Sequence, residues 1–282
     1  MRLGTYEGKV HMILETPEGI KGLSVNEFSK GRFPGCTRAL CENWEEFTSL
    51  AKMAKPFDFN VNINKEKLGP PIYNSRQIFA IGLNYKNHVE EIKMEVGKPD
   101  VFTKFISSIS GPYDNVTLSS DTVDWEVELV AVIGKGGRNI KREDALDNVV
   151  GYMIGQDFSD RTAQFMGSAK QFSMGKSFAG FSPVGPWITT LDELKNPLDL
   201  SIECRVNGQV MQSSRTEMTI NNIDVIIESL SEIVELYPGD LIFSGTPGGV
   251  GFGRNPKVFL KAGDIVTGEI EGLGKIEQKM VR

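Results

Sequence analysis

A β-rich α+β fold is predicted for this 282-residue chain by three observations. Strand-like runs dominate from residue 121 onward, among them "VELVAVIG", "VVGYMIGQ", "DLSIECRVNG", "DLIFSGTP" and "DIVTGEIEG". These runs do not alternate regularly with helical stretches, which argues against a Rossmann or TIM architecture. The first seventy residues differ in character, and "LGPPIYNSRQ" (68–77) marks a boundary, because Pro70-Pro71 continues neither a helix nor a central strand. The expected organisation is a small N-terminal α/β cap over 1–70 and a larger β-rich domain over 71–282.

Each element has a local reason. "RLGTY" and "VHMIL" read as a hairpin turning at Glu7-Gly8, followed by helical pieces around "SVNEFSK" and "NWEEFTSLAKMA". After the boundary come a strand, "IFAIGL", and a helix over "YKNHVEEIKMEV", with Asn84 placed as its N-cap. Asn207-Gly208 in "RVNGQVM" sits between alternating residues, the strongest short hairpin signal. "IDVIIESLSEIVEL" is the clearest amphipathic helix, and it ends before Pro238-Gly239.

Composition narrows the function classes. Hydrophobic residues make up 40% and charged residues 24%, ordinary for a globular protein. A net charge of −6 argues against nucleic-acid or anionic-membrane partners, which need a basic face. No apolar run approaches the roughly 18–20 residues of a membrane span, and "MRLGTYEGKV" lacks the apolar core of a signal peptide. Cys36, Cys41 and Cys204 are odd in number and form no CxxC pair, so a cytoplasmic protein with reduced thiols is expected. "SMGKSF" lacks the first glycine of a phosphate loop, which would fall at Lys170. "GKGGRN" and "PGGVGFGRN" put Asn139 and Arg254 where a dinucleotide loop needs its last glycine.

The stretch "DTVDWEVELVAVIGKG" is different. Read as one strand, it points Asp124, Glu126 and Glu128 to the same side, roughly 6.5–7 Å apart. At an effective dielectric near 20, two such charges repel by about 2.5 kcal/mol. A solvated edge strand would screen that, but Val130 to Ile133 read as a buried strand with no polar face. Carboxylates held together away from water need a proton or a cation. An all-oxygen set suits a hard ion such as Mg²⁺, Mn²⁺ or Ca²⁺, and Asp157, at the polar end of "GYMIGQ", is a third ligand candidate. In "GLNYKNHVEE", His88 and Glu91 share one helical face, the arrangement that fixes a histidine tautomer and raises its basicity. Lys176 in "QFSMGKSF" lies among Phe172, Met174 and Phe178. There it either snorkels to the surface or supplies a cation toward negative charge on a substrate oxygen.

Together "IGLNYKNHVEE", "FTKFISSISGP", "DWEVELVAVIGK", "GYMIGQDFSDR", "QFSMGKSF" and "PGDLIFSGTPGGVG" resemble the fumarylacetoacetate hydrolase family from about Ile78 to the C-terminus. The resemblance implies a mixed β-sandwich roll, a catalytic domain over 71–282, assembly as a homodimer, and Glu126, Glu128 and Asp157 as ligands of Mg²⁺ or Mn²⁺, with Asp124 outside the ligand set. It implies that His88 with Glu91 deprotonates water, that Lys176 orients or polarises a carbonyl, and that Arg161 and Gln164 contact the substrate. Lys104 and Thr246 are further implied contacts. The reaction expected is metal-dependent hydrolysis of a C–C bond in a 1,3-diketo or 2-oxo acid, of acylpyruvate type. The alternative is decarboxylation of oxaloacetate through the same enolate, and a third reading is a metal-binding module without catalysis.

Overall fold

The computed structural model describes residues 1–33, 35–86, 98–168 and 171–282. Its β-rich α+β architecture is the mixed sandwich expected. Two sheets pack on each other. The larger runs, in spatial order, through strands at 61–62, 19–24, 9–16, 2–6, 182–190, 149–156, 127–133, 241–243, 78–82 and 100–103. Most neighbours are antiparallel, but Leu241–Phe243 runs parallel to Ile78–Gly82. The smaller sheet orders 209–215, 201–206, 265–270, 274–281 and 116–117.

Strand Val127–Ile133 lies near the middle of the large sheet and is buried on both faces, as its unbroken apolar run requires. Val127, Leu129, Ala131 and Ile133 enter one core with Ile202, Val266, Ile276 and Met280 of the smaller sheet, and with Ile226, Ile227 and Leu230 of helix Ile223–Ile233. Val130 and Val132 face the opposite core, closed by Val10, Met12, Leu40 and Phe47 from the N-terminal seventy residues. The cap therefore covers one face with helices Thr37–Glu42 and Trp44–Ala51, while its strands extend the sheet. Arg2–Tyr6 pairs with Ser182–Thr190 on one side and Lys9–Thr16 on the other, so the large sheet is continuous across residue 70.

The hairpins form where glycine-containing pairs accept left-handed backbone: Glu7-Gly8 at φ 48° and 77°, Asn207-Gly208 at φ 52° and 80°. Two local expectations change. The 121–136 stretch is not one strand, because Val123–Asp124 pairs with Ser159–Asp160 in a separate ribbon and the large-sheet strand begins only at Val127. Asn84 spends its side chain elsewhere: Oδ1 accepts from the Asn221 N–H at 2.8 Å, and Nδ2 donates to the Asn221 and Ser244 carbonyls. The helix expected over 85–96 falls largely outside the described residues, and with it His88 and Glu91.

Candidate metal centre and substrate site

Four chain segments end at one buried place. Glu126 and Glu128 flank the start of strand Val127–Ile133, and Asp157 directly follows strand Val149–Gln156. Lys104 directly follows strand Asp100–Thr103, and Lys176 closes the short helix Phe172–Gly175. The break after Asp124 is what aims Glu126 inward. Side-chain amides replace the missing ladder there: the Glu126 N–H donates to Gln156 Oε1 and the Val127 N–H to Gln212 Oε1, both at 3.1 Å. The Asp157 N–H donates to the Glu126 carbonyl at 2.8 Å, tying the two acidic segments together.

Ligand oxygens of Glu126, Glu128 and Asp157 all lie within 4.8 Å of one another. All three residues are buried, which removes the solvated-edge reading of the strand. Two lysines and an arginine meet them. Lys176 donates to Glu126 Oε2 at 2.7 Å and to Asp157 Oδ2 at 2.6 Å, so it is a buried, paired cation rather than a snorkelling one. Lys104 pairs with Asp157 and donates to the Lys176 and Phe181 carbonyls. Arg161 donates from Nη2 to Glu126 Oε1 and Asp124 Oδ2, both at 2.7 Å, and from Nη1 to Gln164 Oε1 at 2.9 Å.

The cations are unevenly shared. Burial alone would push the Glu126 carboxyl up, but Lys176 and Arg161 hold it down at about 2. For Glu128, burial and then the Asp157 and Glu126 charges all push the same way, well above the ordinary carboxylate range. Among the described residues its one hydrogen-bond donor is the Gly245 N–H at 2.8 Å. Gly245 stands at φ 96°, and a Cβ there would meet the Asn84 Cβ at 2.8 Å, so this donor position needs glycine. Burial lowers the Lys176 ammonium, yet Asp157 and Glu126 outweigh it and raise the group overall. For Lys104 burial prevails over Asp157 and the group is lowered. Among the described residues, Asp124, Glu126, Glu128 and Asp157 set four carboxyl groups against three cations, and Glu128 is the carboxyl without an ion pair. Three converging carboxylates, one of them without a cationic partner among the described residues, match a hard divalent ion in donor type.

The structure thus brings together Glu126, Glu128, Asp157, Lys104, Lys176, Arg161 and Gln164. Thr246 lies next to them, but its hydroxyl donates to the Val127 carbonyl at 2.8 Å and accepts from Gln212 at 2.7 Å, a bracing role for the strand start. Gln156 and Gln212, which replace the ladder at the break, carry little local signal in the sequence beyond a glutamine ending the apolar run "GYMIGQ". Tyr85 was also missed. Its hydroxyl is buried with no hydrogen-bond partner among the described residues, and burial, with the nearby Glu128 charge, pushes its ionisation up.

Sandwich fold and acid-lined interior define a class, and the chain belongs to the fumarylacetoacetate hydrolase family: the fumarylacetoacetate (FAA) hydrolase C-terminal domain matches residues 77–281. It is an enzyme family, and its members similar to this chain include proteins named as an oxaloacetate tautomerase, a probable 2-hydroxyhepta-2,4-diene-1,7-dioate isomerase and a maleylpyruvate hydrolase. Human mitochondrial oxaloacetate tautomerase FAHD2A is 41% identical over 275 residues, covering 96% of this chain and 87% of that protein. The mitochondrial oxaloacetate tautomerase of Xenopus laevis is 42% identical over 274 residues, 95% of this chain and 85% of that one. Among solved structures, maleylpyruvate hydrolase from Sphingobium sp. SYK-6, in complex with manganese(II) and pyruvate, superposes with a TM-score of 0.80 at 28% identity over 100% of this chain and 99% of that one. The tautomerases support the 2-oxo acid enolate chemistry on which the decarboxylase alternative rests better than C–C hydrolysis, though they are named for tautomerisation and not for decarboxylation. Both carry mitochondrial names, so the cytoplasmic expectation gains no support from them.

Proposed function

We propose that this protein interconverts the enol and keto forms of an oxaloacetate-like 2-oxo dicarboxylic acid, with Mg²⁺ or Mn²⁺ held by Glu126, Glu128 and Asp157. The observation that carries the reading is the buried three-carboxylate cluster faced by Lys104, Lys176 and Arg161, in a chain 41% identical to an oxaloacetate tautomerase. The bound ion would supply Lewis-acid stabilisation of negative charge on the keto oxygen.

The chain's own groups divide the remaining work. Among the described residues, Lys104, Lys176 and Arg161 together with a divalent ion would offset the four carboxylates, which favours an anionic substrate. Lys176, kept protonated by two carboxylates, stands beside the cluster and stabilises charge developing on the substrate oxygen. Among the described residues, Arg161 has four of its five N–H donors committed to Asp124, Glu126 and Gln164, and the remaining Nη1 hydrogen is directed to a substrate carboxylate. His88 oriented by Glu91 is the base for the carbon-bound proton in this proposal, on the family resemblance. Loss of CO₂ from oxaloacetate at the same site would leave the enolate of pyruvate instead, and attack by water on a longer 1,3-diketo acid would give hydrolysis.

Decay of enol absorbance in freshly dissolved oxaloacetate tests the proposal, with pyruvate release followed in parallel. Acceleration that needs Mg²⁺ or Mn²⁺, is lost in Glu126→Gln, and releases no pyruvate is expected. Pyruvate release at the same rate would make the protein a decarboxylase. No effect on either signal, with an acylpyruvate cleaved instead, would restore the hydrolase reading. A second copy of the chain as partner belongs to the same proposal, and light scattering after size exclusion tests it.

A further inference from the structure

Asp124 is fully buried and stands outside the three-carboxylate cluster, yet it collects five hydrogen bonds. Arg161 donates to its Oδ2 from Nε at 2.9 Å and from Nη2 at 2.7 Å. The Phe252 N–H donates to the same oxygen at 2.9 Å, while the Gly251 and Trp125 N–H groups donate to Oδ1 at 2.7 and 2.9 Å. One carboxylate therefore joins the guanidinium to the turn at 249–254.

The turn is built for that contact. A Cβ on Gly251 would meet the Val258 carbonyl at 1.9 Å and Asp124 Oδ1 at 2.8 Å, so only glycine lets the backbone approach. The neighbouring Phe252 ring lies 5.6 Å from the Arg161 guanidinium and 5.5 Å from the Phe165 ring. Arg254 anchors the far side of the turn, donating to the Met211 carbonyl at 2.9 Å. Arg161 is thus fixed in its plane by Asp124, on its face by Phe252, and at its other end by Glu126 and Gln164. A planar fork held this way keeps its uncommitted Nη1 hydrogen in one direction.

We propose that Asp124 is a positioning residue: it fixes Arg161 and the 249–254 turn together, and thereby sets the affinity for the 2-oxo acid. The structural part stands alone; the effect on affinity rests on the function proposed above. Asparagine at 124 keeps the size of the side chain but offers one oxygen where two are used, so either the arginine or the turn faces an amide N–H₂.

The direct readout is the ¹⁵Nε–¹H signal of Arg161 in ligand-free protein, identified by its loss in Arg161→Lys. Wild type is expected to give one resolved signal with slow solvent exchange. In Asp124→Asn the signal shifts and exchanges at least about tenfold faster, with the amides of Gly251 and Phe252 also losing protection. With turnover of oxaloacetate established, Asp124→Asn raises KM about 10- to 100-fold, while kcat and Mn²⁺ affinity stay within about threefold. In the Arg161→Lys background, Asp124→Asn adds little further to KM. An unchanged Nε–H signal in Asp124→Asn, or an additive double variant, overturns the proposal. So does a wild-type Arg161 Nε–H exchanging as fast as solvent-exposed arginines, a result that needs no variant to fold. A protein with no activity toward any 2-oxo acid refutes the function proposed above, while the Nε–H and amide signals still decide whether Asp124 fixes Arg161.

Discussion

Glu128→Gln separates the two ways the acidic cluster can be neutralised. The ligand oxygens of Glu126, Glu128 and Asp157 lie within 4.8 Å of one another, so each like-charge pair costs at least about 3.5 kcal/mol at an effective dielectric near 20. Glu128 belongs to two such pairs, about 7 kcal/mol, and the nearby cations are committed to Glu126 and Asp157. Without a metal ion Glu128 therefore keeps its proton, and glutamine imitates the protonated acid. At neutral pH, guanidinium denaturation of metal-free protein is expected to show Glu128→Gln more stable than wild type by up to about 3 kcal/mol, because folding obliges Glu128 to take back a proton that the unfolded carboxylate has released. Manganese at 100 times its Kd should then stabilise wild type by about 2.7 kcal/mol, and the variant by less than about 1 kcal/mol at the same concentration. Equal stabilisation of both proteins by Mn²⁺ would refute the reasoning. So would equal metal-free stabilities of the two proteins at neutral pH, which would mean that folding imposes no protonation cost on Glu128.

Acid should act on Glu126 in the opposite direction. Its carboxyl is held at about 2, so its contribution, about 3 kcal/mol at most, is complete above about pH 4.5 and lost as pH falls toward 2. Acid denaturation of Glu126→Gln should lack that limb, and an unchanged acid profile would contradict the pairing with Lys176 and Arg161. For Glu128, whose carboxyl is raised, metal-free stability is highest below about pH 4.5 and declines as pH rises above it, a slope that Glu128→Gln should flatten. Lys176→Met should lower kcat by about 10²- to 10³-fold while Mn²⁺ still binds, as calorimetry would show; full activity would remove Lys176 from the chemistry. Gly245→Ala forces a side chain into φ 96° against Asn84, and should cost about 1–3 kcal/mol in thermal unfolding and weaken Mn²⁺ binding; an unaffected variant would discount the N–H to Glu128.

Much of this site was legible because its signals are local. The apolar run Val130–Ile133 forced the acids before it into a buried setting, and Asp157 ends another apolar strand in the same way. Hairpin glycines and the amphipathic helix Ile223–Ile233 were equally readable. What stayed hidden depends on distant pairing. Period-two alternation put Asp124 beside the glutamates, whereas Gln156 and Gln212, 30 and 85 residues away from their backbone partners, break the strand and turn Asp124 toward Arg161. Likewise, the N-terminal seventy residues looked separate because Pro70-Pro71 interrupts local patterning, yet Arg2–Tyr6 finds its sheet partner at Ser182–Thr190. The lysine pair was seen only as two isolated cations, since nothing near Lys104 in the chain announces the Lys176 carbonyl that it meets.

Anomalous diffraction from crystals grown with Mn²⁺ is the most direct test. One peak per chain, touching Glu126, Glu128 and Asp157, with Lys176 beside it and Asp124 still bound to Arg161, is the expected result. Well-ordered carboxylates with no peak among them, or a peak held by other side chains, would contradict the metal centre and the enolate chemistry built on it.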